Sequence, residues 1–326
     1  MIDGFKRNYS GQSPYYEVWY GKVDIAPEQA FWFRYTLLDG KTQEASCWAI
    51  LFDKGEIVGD REVWDVSDLA VGNQVIIPRT DDIDRFRGQN QVFHLGECHL
   101  DESNALGFAG PLSWDLSWSN SGRQFRYVPQ LLKTLGLAGS TYNSCLFDFS
   151  VSGTIQNGDD QYEINNASGM VGHIEGKKII GNSWGWAHCN NFDNHPDAAF
   201  EGLSAQLQLA GTVTPPLSAF VLFLDGEKYT FRSPVSIIRS QSGFNREQWT
   251  FKTSSGGVQL EGRAEAPSDV ALVEYTDTDD SRLWCYNSKL ADLTLTISDE
   301  SRGLQKELTS SGRSAYEWVT RTPPEE

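Results

Sequence analysis

The sequence predicts an all-β protein with two barrel-like domains, and three observations lead to that prediction. Apolar and polar residues alternate with a period of two along most of the chain, which is typical of strands with one buried face. Glycine, asparagine and aspartate interrupt the pattern at spacings of roughly 8–12 residues, as in barrels and sandwiches. The chain has 326 residues, more than one compact core usually spans.

The first half of the chain supplies the clearest strands. Asp39-Gly40 and Lys54-Gly55 are turn signals between neighbouring strands, and such pairs favour hairpins. The strands predicted here cover residues 15–22, 31–37, 45–52, 56–64, 91–94, 105–109 and 113–118. Residues 127–135 alone have helical spacing, which predicts one short helix between or beside the barrels.

The second half repeats the strand pattern without an internal sequence repeat. Its predicted strands cover residues 145–153, 161–165, 169–175, 183–190, 204–209, 219–223, 228–231, 248–252, 258–264, 270–275, 282–287 and 293–297. The segment 212–216, with two prolines, is one candidate linker, and the region 130–145 is another. We place the first barrel at 1–140, the second at 141–320 and a disordered tail at 321–326.

Composition excludes several classes of function. The formal net charge is −17, so nucleic acids and anionic membranes would repel the protein. No stretch has the roughly 20 apolar residues of a transmembrane helix, and the first twelve residues lack the apolar core of a signal peptide. Five scattered cysteines fit reduced, buried thiols. These features predict a cytoplasmic protein, either a monomer or a homodimer.

A tryptophan-rich segment from Gly181 to Phe192 is the strongest candidate for a binding site. On a strand, Trp184, Trp186, His188 and Asn190 share one face, while the residues between them are small. Aromatic surface with a few polar groups is typical of a ligand-binding wall. The alternative is a tryptophan-rich core face whose His and Asn bond to neighbouring backbone.

Metal sites and cofactor motifs are weakly represented. His94, Cys98 and His99 are close in sequence, but their odd spacing places the two histidines on opposite faces of a regular strand. His188, Cys189 and His195 have the same problem. The chain lacks a glycine-rich phosphate loop, a zinc-protease motif and a serine-hydrolase elbow. We therefore predict neither a metal nor a cofactor.

Several short segments resemble one protein superfamily. The run Trp184-x-Trp-x-His-Cys-Asn-x-Phe192 resembles the Trp-x-Trp-x-Gln-Cys-Asn-x-Phe segment of tocopherol cyclases, with His188 in place of glutamine. The hairpin around Asp225-Gly226 and the strands at 16–20 and 110–116 are similar to other segments of that superfamily. It includes carotenoid 1,2-hydratases, AttH-like proteins and fungal decalin-forming Diels–Alderases.

The resemblance implies two lipocalin-like β-barrels packed together, with a pocket inside or between them. It also implies a hydrophobic substrate, namely a polyene, terpenoid, prenylated or polyketide-like molecule, that is protonated, hydrated or cyclised. Protonation needs an acid in apolar surroundings and aromatic faces beside the developing cation. The candidate catalytic residues are Glu17, His188 and Asp115. The candidate substrate-binding residues are Trp19, Trp114, Asn182, Trp184, Trp186, Asn190 and Trp284.

Each candidate acid also has a purely structural interpretation. Glu17 shares a strand face with Trp19, but it could instead reach a basic residue at the surface. Asp115 lies on the face opposite Trp114 and could bond to a neighbouring loop. A lone His188 in a strand often has a structural role. Three functions therefore stay open: a cofactor-independent cyclase, hydratase or pericyclase, a carrier of a hydrophobic small molecule, and a structural interaction module with filled barrels.

Overall fold

The protein, here a computed structural model, is built almost entirely from antiparallel strands. The structure describes residues 5–66, 92–119, 122–127, 140–179, 181–209 and 211–324. These residues form two sheets of 11 strands each. Among them no helix is long and apolar enough to cross a membrane.

The first sheet contains the strands up to Gly176, in the order β4-β3-β2-β1-β11-β10-β8-β7-β6-β5, with β9 beside β10. Its strands are β1 (Tyr15–Ala26), β2 (Gln29–Asp39), β3 (Gln43–Asp53), β4 (Glu56–Trp64), β5 (Phe93–Leu95), β6 (Cys98–Leu100), β7 (Asn104–Ala109), β8 (Leu112–Trp118), β9 (Phe125–Arg126), β10 (Ser140–Asn157) and β11 (Asp160–Gly176). The sheet curls, so that β3 and β4 pack against β7.

The second sheet has the order β16-β15-β13-β12-β22-β21-β19-β18-β17, with β14 beside β13 and β20 beside β21. Its strands are β12 (Gly181–Cys189), β13 (Ala199–Leu209), β14 (Thr212–Val213), β15 (Leu217–Leu224), β16 (Glu227–Phe231), β17 (Gln241–Phe244), β18 (Gln248–Ser255), β19 (Val258–Glu265), β20 (Ala271–Thr276), β21 (Arg282–Asp299) and β22 (Leu304–Thr320). Helix α1 (Pro234–Arg239) packs on both β15 and β18, where the sheet curls. A 3-10 turn, Glu300–Arg302, joins β21 to β22.

The predicted fold class is confirmed, and one detail of the strands differs from the prediction. The change of sheet lies between Gly176 and Gly181. The division into domains at residue 140 stays a prediction. The two strands before that change, β10 and β11, are long and pair with β8 and β1 of the first sheet. Two pairs of predicted strands are single long strands, β11 and β21, and the pairing of each contains register shifts. The predicted helix at 127–135 falls almost entirely outside the described residues.

Turn residues explain the hairpins that the sequence predicted. Asp225 and Gly226 connect β15 to β16, and both have positive φ angles, 53° and 77°. Two consecutive positive φ angles form the tight hairpin turn that matches strand twist, and Asp-Gly is among the pairs that adopt it most readily. This local chemistry fixes the register of the β15–β16 hairpin.

Alternation along the strands creates three buried regions. One face of the first sheet encloses an aromatic core that includes Phe31, Phe33 and Trp114. One face of the second sheet encloses another, with Phe220, Trp249 and Phe251. The opposite faces of the two sheets pack against each other and form a third buried region, here called the inter-sheet contact. All five cysteines are buried and unpaired.

Candidate active site

A buried carboxyl group lies in the inter-sheet contact. Glu201, on β13, has no solvent exposure, and its neighbours on the same strand face are the apolar Ala199 and Leu203. Burial raises the pKa of Glu201 well above its ordinary value, because the charged form loses its hydration. The site therefore favours a protonated carboxylic acid.

Side chains from both sheets bind this carboxyl group. Tyr142 and Ser144 of the first sheet donate hydrogen bonds to its two oxygens. Trp186 of the second sheet donates its indole N–H to Glu201 Oε1 at 2.8 Å, and the same nitrogen lies 3.0 Å from the Tyr142 hydroxyl. The Tyr20 hydroxyl lies 2.8 Å from that of Tyr142. A continuous hydrogen-bonded chain thus runs from Tyr20 to the acid.

A glycine makes room for Tyr20. Gly172 lies opposite Tyr20 in the β1–β11 ladder, and a Cβ atom there would come within 2.7 Å of the Tyr20 ring. Tyr20 packs edge-on against Trp186, with ring centroids 5.6 Å apart. The absence of a side chain at residue 172 therefore lets Tyr20 reach across the contact towards the second sheet.

The tryptophan-rich strand β12 lies beside Glu201. Its residues Trp184, Trp186 and His188 face the first sheet, while Ala187 and Cys189 face the core of the second barrel. His188 is the direct cross-strand neighbour of Glu201, and Trp186 is that of Leu203. Asn190, just after β12, donates its side-chain amide to the carbonyl oxygen of Gly169 at 2.8 Å. This residue ties the two sheets together.

His188 is a neutral imidazole. Its Nε2 lies 2.8 Å from the carbonyl oxygen of Phe147, so Nε2 carries the proton and donates it. The buried Nδ1 is then an acceptor, and it has no hydrogen-bond partner among the described residues. Burial, with help from the nearby charge of Lys22, lowers the pKa of His188 to about 3. His188 is therefore unsuited to donating a proton as an imidazolium at neutral pH.

Replacing His188 should change how stability depends on pH. The unfolded histidine titrates near pH 6.5, whereas the folded pKa is about 3. The unfolded state therefore binds the extra proton as the pH falls below about 6.5, and the wild type loses stability there. We expect that loss to reach about 2–3 kcal/mol at pH 4.5 and to be absent in His188→Gln. Urea unfolding of both proteins at pH 7 and 4.5 measures it; parallel pH profiles would contradict the assignment.

A buried ion pair lies near the ring of Trp186. The ammonium group of Lys289, which is fully buried, lies 2.6 Å from a carboxylate oxygen of Glu317. The Lys289 nitrogen is also 5.5 Å from the ring centroid of Trp186 and 5.8 Å from that of Trp32. Burial lowers the pKa of Lys289, and Glu317 opposes that effect.

The structure places two predicted site residues, Glu17 and Trp19, away from this group. Both are fully buried and point into the first barrel, on the face of β1 opposite Tyr20. The Glu17 carboxylate accepts hydrogen bonds from the backbone N–H groups of Asn8 and Tyr9, at 2.8 and 2.9 Å. His173 lies 2.9 Å away, and Trp19 stacks on its ring. This carboxylate thus holds the N-terminal segment against the barrel.

The remaining predicted residues are also dispersed. Trp114 lies in the first barrel core and donates its indole N–H to Tyr35, at 2.9 Å. Asp115 is half-buried on the opposite face of β8. Asn182 is half-buried at the start of β12. Trp284 is half-buried on the face of β21 opposite Cys285, which belongs to the inter-sheet contact.

Sequence reasoning missed Glu201, Tyr142 and Lys289. The strand prediction began at residue 204, so Glu201 fell outside it, although Ala199, Glu201 and Leu203 do alternate with Phe200. A single acid at an apolar position of such a strand is the signal that could have identified it. Lys289 lies at an irregularity of β21, between the two shorter strands that the sequence predicted there.

Metal binding has little support in the described part of the chain. No three side chains of His, Cys, Asp or Glu come together there in a way that could hold an ion. His94 and His99, which the sequence singled out, face each other across the β5–β6 hairpin with ring centroids 5.6 Å apart. His99 binds Asp101, at 2.9 Å.

Comparison with known proteins gives a likeness of fold. No family model and no curated protein sequence matches the chain. Among solved structures, the chain is similar to kievitone hydratase from Nectria haematococca, with a TM-score of 0.53 and 13% identity over 94% of this chain and 89% of that one. A polysaccharide lyase and a porin-like protein from Bacteroides uniformis give TM-scores of 0.17 and 0.16, each at 8% identity. The polysaccharide lyase match covers 90% of this chain and 55% of that one, and the porin-like match covers 93% of this chain and 95% of that one. The likeness to kievitone hydratase covers nearly the whole chain and agrees with its all-β, two-barrel architecture.

Proposed function

We propose that this protein is a cofactor-independent enzyme that uses Glu201 as an acid to protonate an unsaturated, largely apolar substrate at the inter-sheet contact. The observation that carries the proposal is the burial of Glu201, which raises its pKa and keeps a proton available in apolar surroundings. The kievitone hydratase fold adds support, because that protein is by its name a hydratase. Hydration of an alkene is therefore the first reaction to test.

The proposed reaction begins with a proton transfer. Glu201 transfers its proton to one alkene carbon, whose π electrons form the new C–H bond and leave a cation on the other carbon. In hydration, the oxygen of a water molecule bonds to that cation, and the released proton returns to the Glu201 carboxylate. In cyclisation, a second alkene bonds to the cation, and loss of a proton to Glu201 ends the reaction. Neither route needs a cofactor.

The surroundings of Glu201 suit a cationic intermediate. The indole of Trp186 binds the acid through its N–H, and the Tyr20 ring packs edge-on against that indole. Aromatic faces attract cations, so these rings could stabilise one formed near the acid. The hydroxyls of Tyr142 and Ser144 and the indole N–H of Trp186 stabilise the carboxylate after it has given up its proton. Burial therefore favours the protonated acid before transfer, and these three donors stabilise the anion after it.

The packing of the barrels supports this location. Large aromatic side chains fill the two barrel cores, with Trp249 fully buried in one and Trp19 in the other. The inter-sheet contact combines aromatic rings with buried polar and charged groups that include Glu201 and Lys289. A largely apolar substrate that carries a few polar groups requires an aromatic surface with a few polar side chains.

Isotope labelling tests the proposal. A panel of prenylated, polyene and polyketide-like molecules is first screened for binding by quenching of tryptophan fluorescence. Every molecule that binds is then incubated with the protein in ²H₂O and in H₂¹⁸O, and its products are analysed by mass spectrometry. Hydration incorporates both labels, proton-initiated cyclisation incorporates deuterium only, and cycloaddition incorporates neither.

The carrier function gives a different result in the same experiment. If every bound molecule is returned chemically unchanged and unlabelled, the protein is a carrier and the proposed acid role of Glu201 is wrong. Cycloaddition products that carry neither label would also show that Glu201 does not transfer a proton. Products that carry deuterium on carbon are the expected outcome.

A further inference from the structure

A buried asparagine in the inter-sheet contact has no hydrogen-bond partner. Asn287, on β21, has no solvent exposure, and neither its amide nitrogen nor its amide oxygen is bonded to any part of the chain that the structure describes. Buried amides are otherwise almost always paired, because an unpaired one costs the free energy of its lost hydration. Such an amide indicates a group that a bound molecule completes.

Two further hydrogen-bond donors belong to Lys289, on the same strand as Asn287, and to Trp32, beside Lys289. Lys289 is two residues along the same strand, and the salt-bridge partner of Lys289, Glu317, is the cross-strand neighbour of Asn287. From the first sheet, the ring of Trp32 lies 5.8 Å from the Lys289 nitrogen. The indole N–H of Trp32 is buried and also lacks a partner among the described residues.

The chemistry of these groups defines what they would bind. Trp32 offers one N–H, the Asn287 amide offers two, and the Lys289 ammonium carries three, of which one faces Glu317. The amide oxygen of Asn287 is the single unpaired acceptor in this set. Donors outnumber acceptors, so an oxygen with lone pairs is the complementary group, and a carbonyl or enol oxygen meets that requirement.

We propose that Asn287, Lys289 and Trp32 form an oxygen-binding subsite, and that the substrate is an oxygenated apolar molecule with a carbonyl or enol group. This inference rests on the proposed function, because it names the substrate class of the same site. Trp186 lies between the two parts: its N–H binds Glu201, and its ring faces Lys289. The oxygen end of the substrate is thereby held near the Trp186 ring and its alkene near the indole N–H.

Binding of a matched pair of probes tests the subsite without requiring turnover. The probes are geranylgeranylacetone and the hydrocarbon in which a methylene group replaces its carbonyl. Calorimetry or fluorescence quenching measures the affinity of each probe for the wild type and for Asn287→Leu. We expect the ketone to bind the wild type roughly 10-fold more tightly than the hydrocarbon, about the value of one hydrogen bond to a charged or buried donor.

The variant separates ligand binding from a structural role. In Asn287→Leu we expect the preference for the ketone to fall to about 2-fold, with hydrocarbon affinity unchanged, because only the oxygen contact is lost. The free variant should unfold at a higher temperature than the wild type, since an unpaired buried amide is removed. A structural role for Asn287 predicts the opposite change in unfolding temperature.

Three results would overturn the subsite: equal affinity for the two probes, a ketone preference that survives in Asn287→Leu, or binding of neither probe to the folded protein. The failure of the proposed function is distinguishable from these. If Glu201 is not the acid, labelled products are absent while the ketone preference and its loss in Asn287→Leu persist.

Discussion

Glu201→Gln is expected to lower the rate of product formation by about 10²–10⁴-fold, the usual contribution of a positioned general acid. Glutamine keeps the size of the side chain and its hydrogen bonds to Tyr142 and Trp186 but has no proton to transfer. Substrate affinity should change little, because the substitution removes an interaction of the transition state. Single-turnover kinetics with a substrate found in the labelling screen measures both quantities.

The same substitution should stabilise the protein at neutral pH. The unfolded glutamate titrates near pH 4.3, whereas the folded pKa of Glu201 is raised. Below pH 4.3 both states bind the proton. As the pH rises towards the folded pKa, the unfolded state alone ionises, so the wild type loses stability at a limiting slope of about 1.4 kcal/mol per pH unit. Glu201→Gln lacks this loss and should unfold at a higher temperature than the wild type at pH 7.

Glu17→Gln provides the matched comparison, because Glu17 is also fully buried and is the glutamate that the sequence predicted as an acid. Its carboxylate binds Asn8, Tyr9 and His173 within the first barrel, so the substitution should lower stability while the rate per folded molecule stays near that of the wild type. A large rate loss in Glu17→Gln with full activity in Glu201→Gln would move the acid role to Glu17.

Glu317→Leu is expected to cause the largest loss of stability, about 3–5 kcal/mol. The substitution leaves the ammonium group of Lys289 buried without its carboxylate partner. A buried charge that loses its partner either pays the full cost of desolvation or gives up its proton. Urea unfolding of the variant and the wild type at pH 7 measures the difference.

The double variant Lys289→Met/Glu317→Leu is the control for this prediction. It removes both charges and fills the space with apolar atoms, so most of the lost stability should return. Exposed ion pairs typically contribute little to stability. If the unfolding free energy of Glu317→Leu lay within about 0.5 kcal/mol of that of the wild type, water would have to reach the Lys289–Glu317 pair.

Alternation along single strands could be predicted from the sequence, because it depends on neighbouring residues only. The shared face of Trp184, Trp186 and His188 is of this kind, and so are the turns at Lys54-Gly55 and Asp225-Gly226. The position of the sheet change could not be predicted. The strands β10 and β11 return to pair with β8 and β1, and such long-range pairing has no local signature.

The candidate acid was missed for the same reason. His188 and Glu201 are thirteen positions apart in the chain and become neighbours only through the β12–β13 register. Tyr142 then reaches Glu201 from the other sheet, a contact that no strand pattern contains. The sequence directed attention to Glu17, which does share a face with Trp19, but that face points into a filled barrel. Periodicity defines the two faces of a strand; packing decides what each face meets.

Infrared spectroscopy of the Glu201 carboxyl group at pH 7 tests the central claim most directly. The spectrum of Glu201→Gln is subtracted from that of the wild type, which removes the bands of all other carboxyl groups. A raised pKa predicts the C=O stretching band of a protonated carboxylic acid in the difference spectrum, with a shift in ²H₂O. A difference spectrum that contains only the paired bands of a carboxylate would contradict the claim, because an ionised Glu201 has no proton to give.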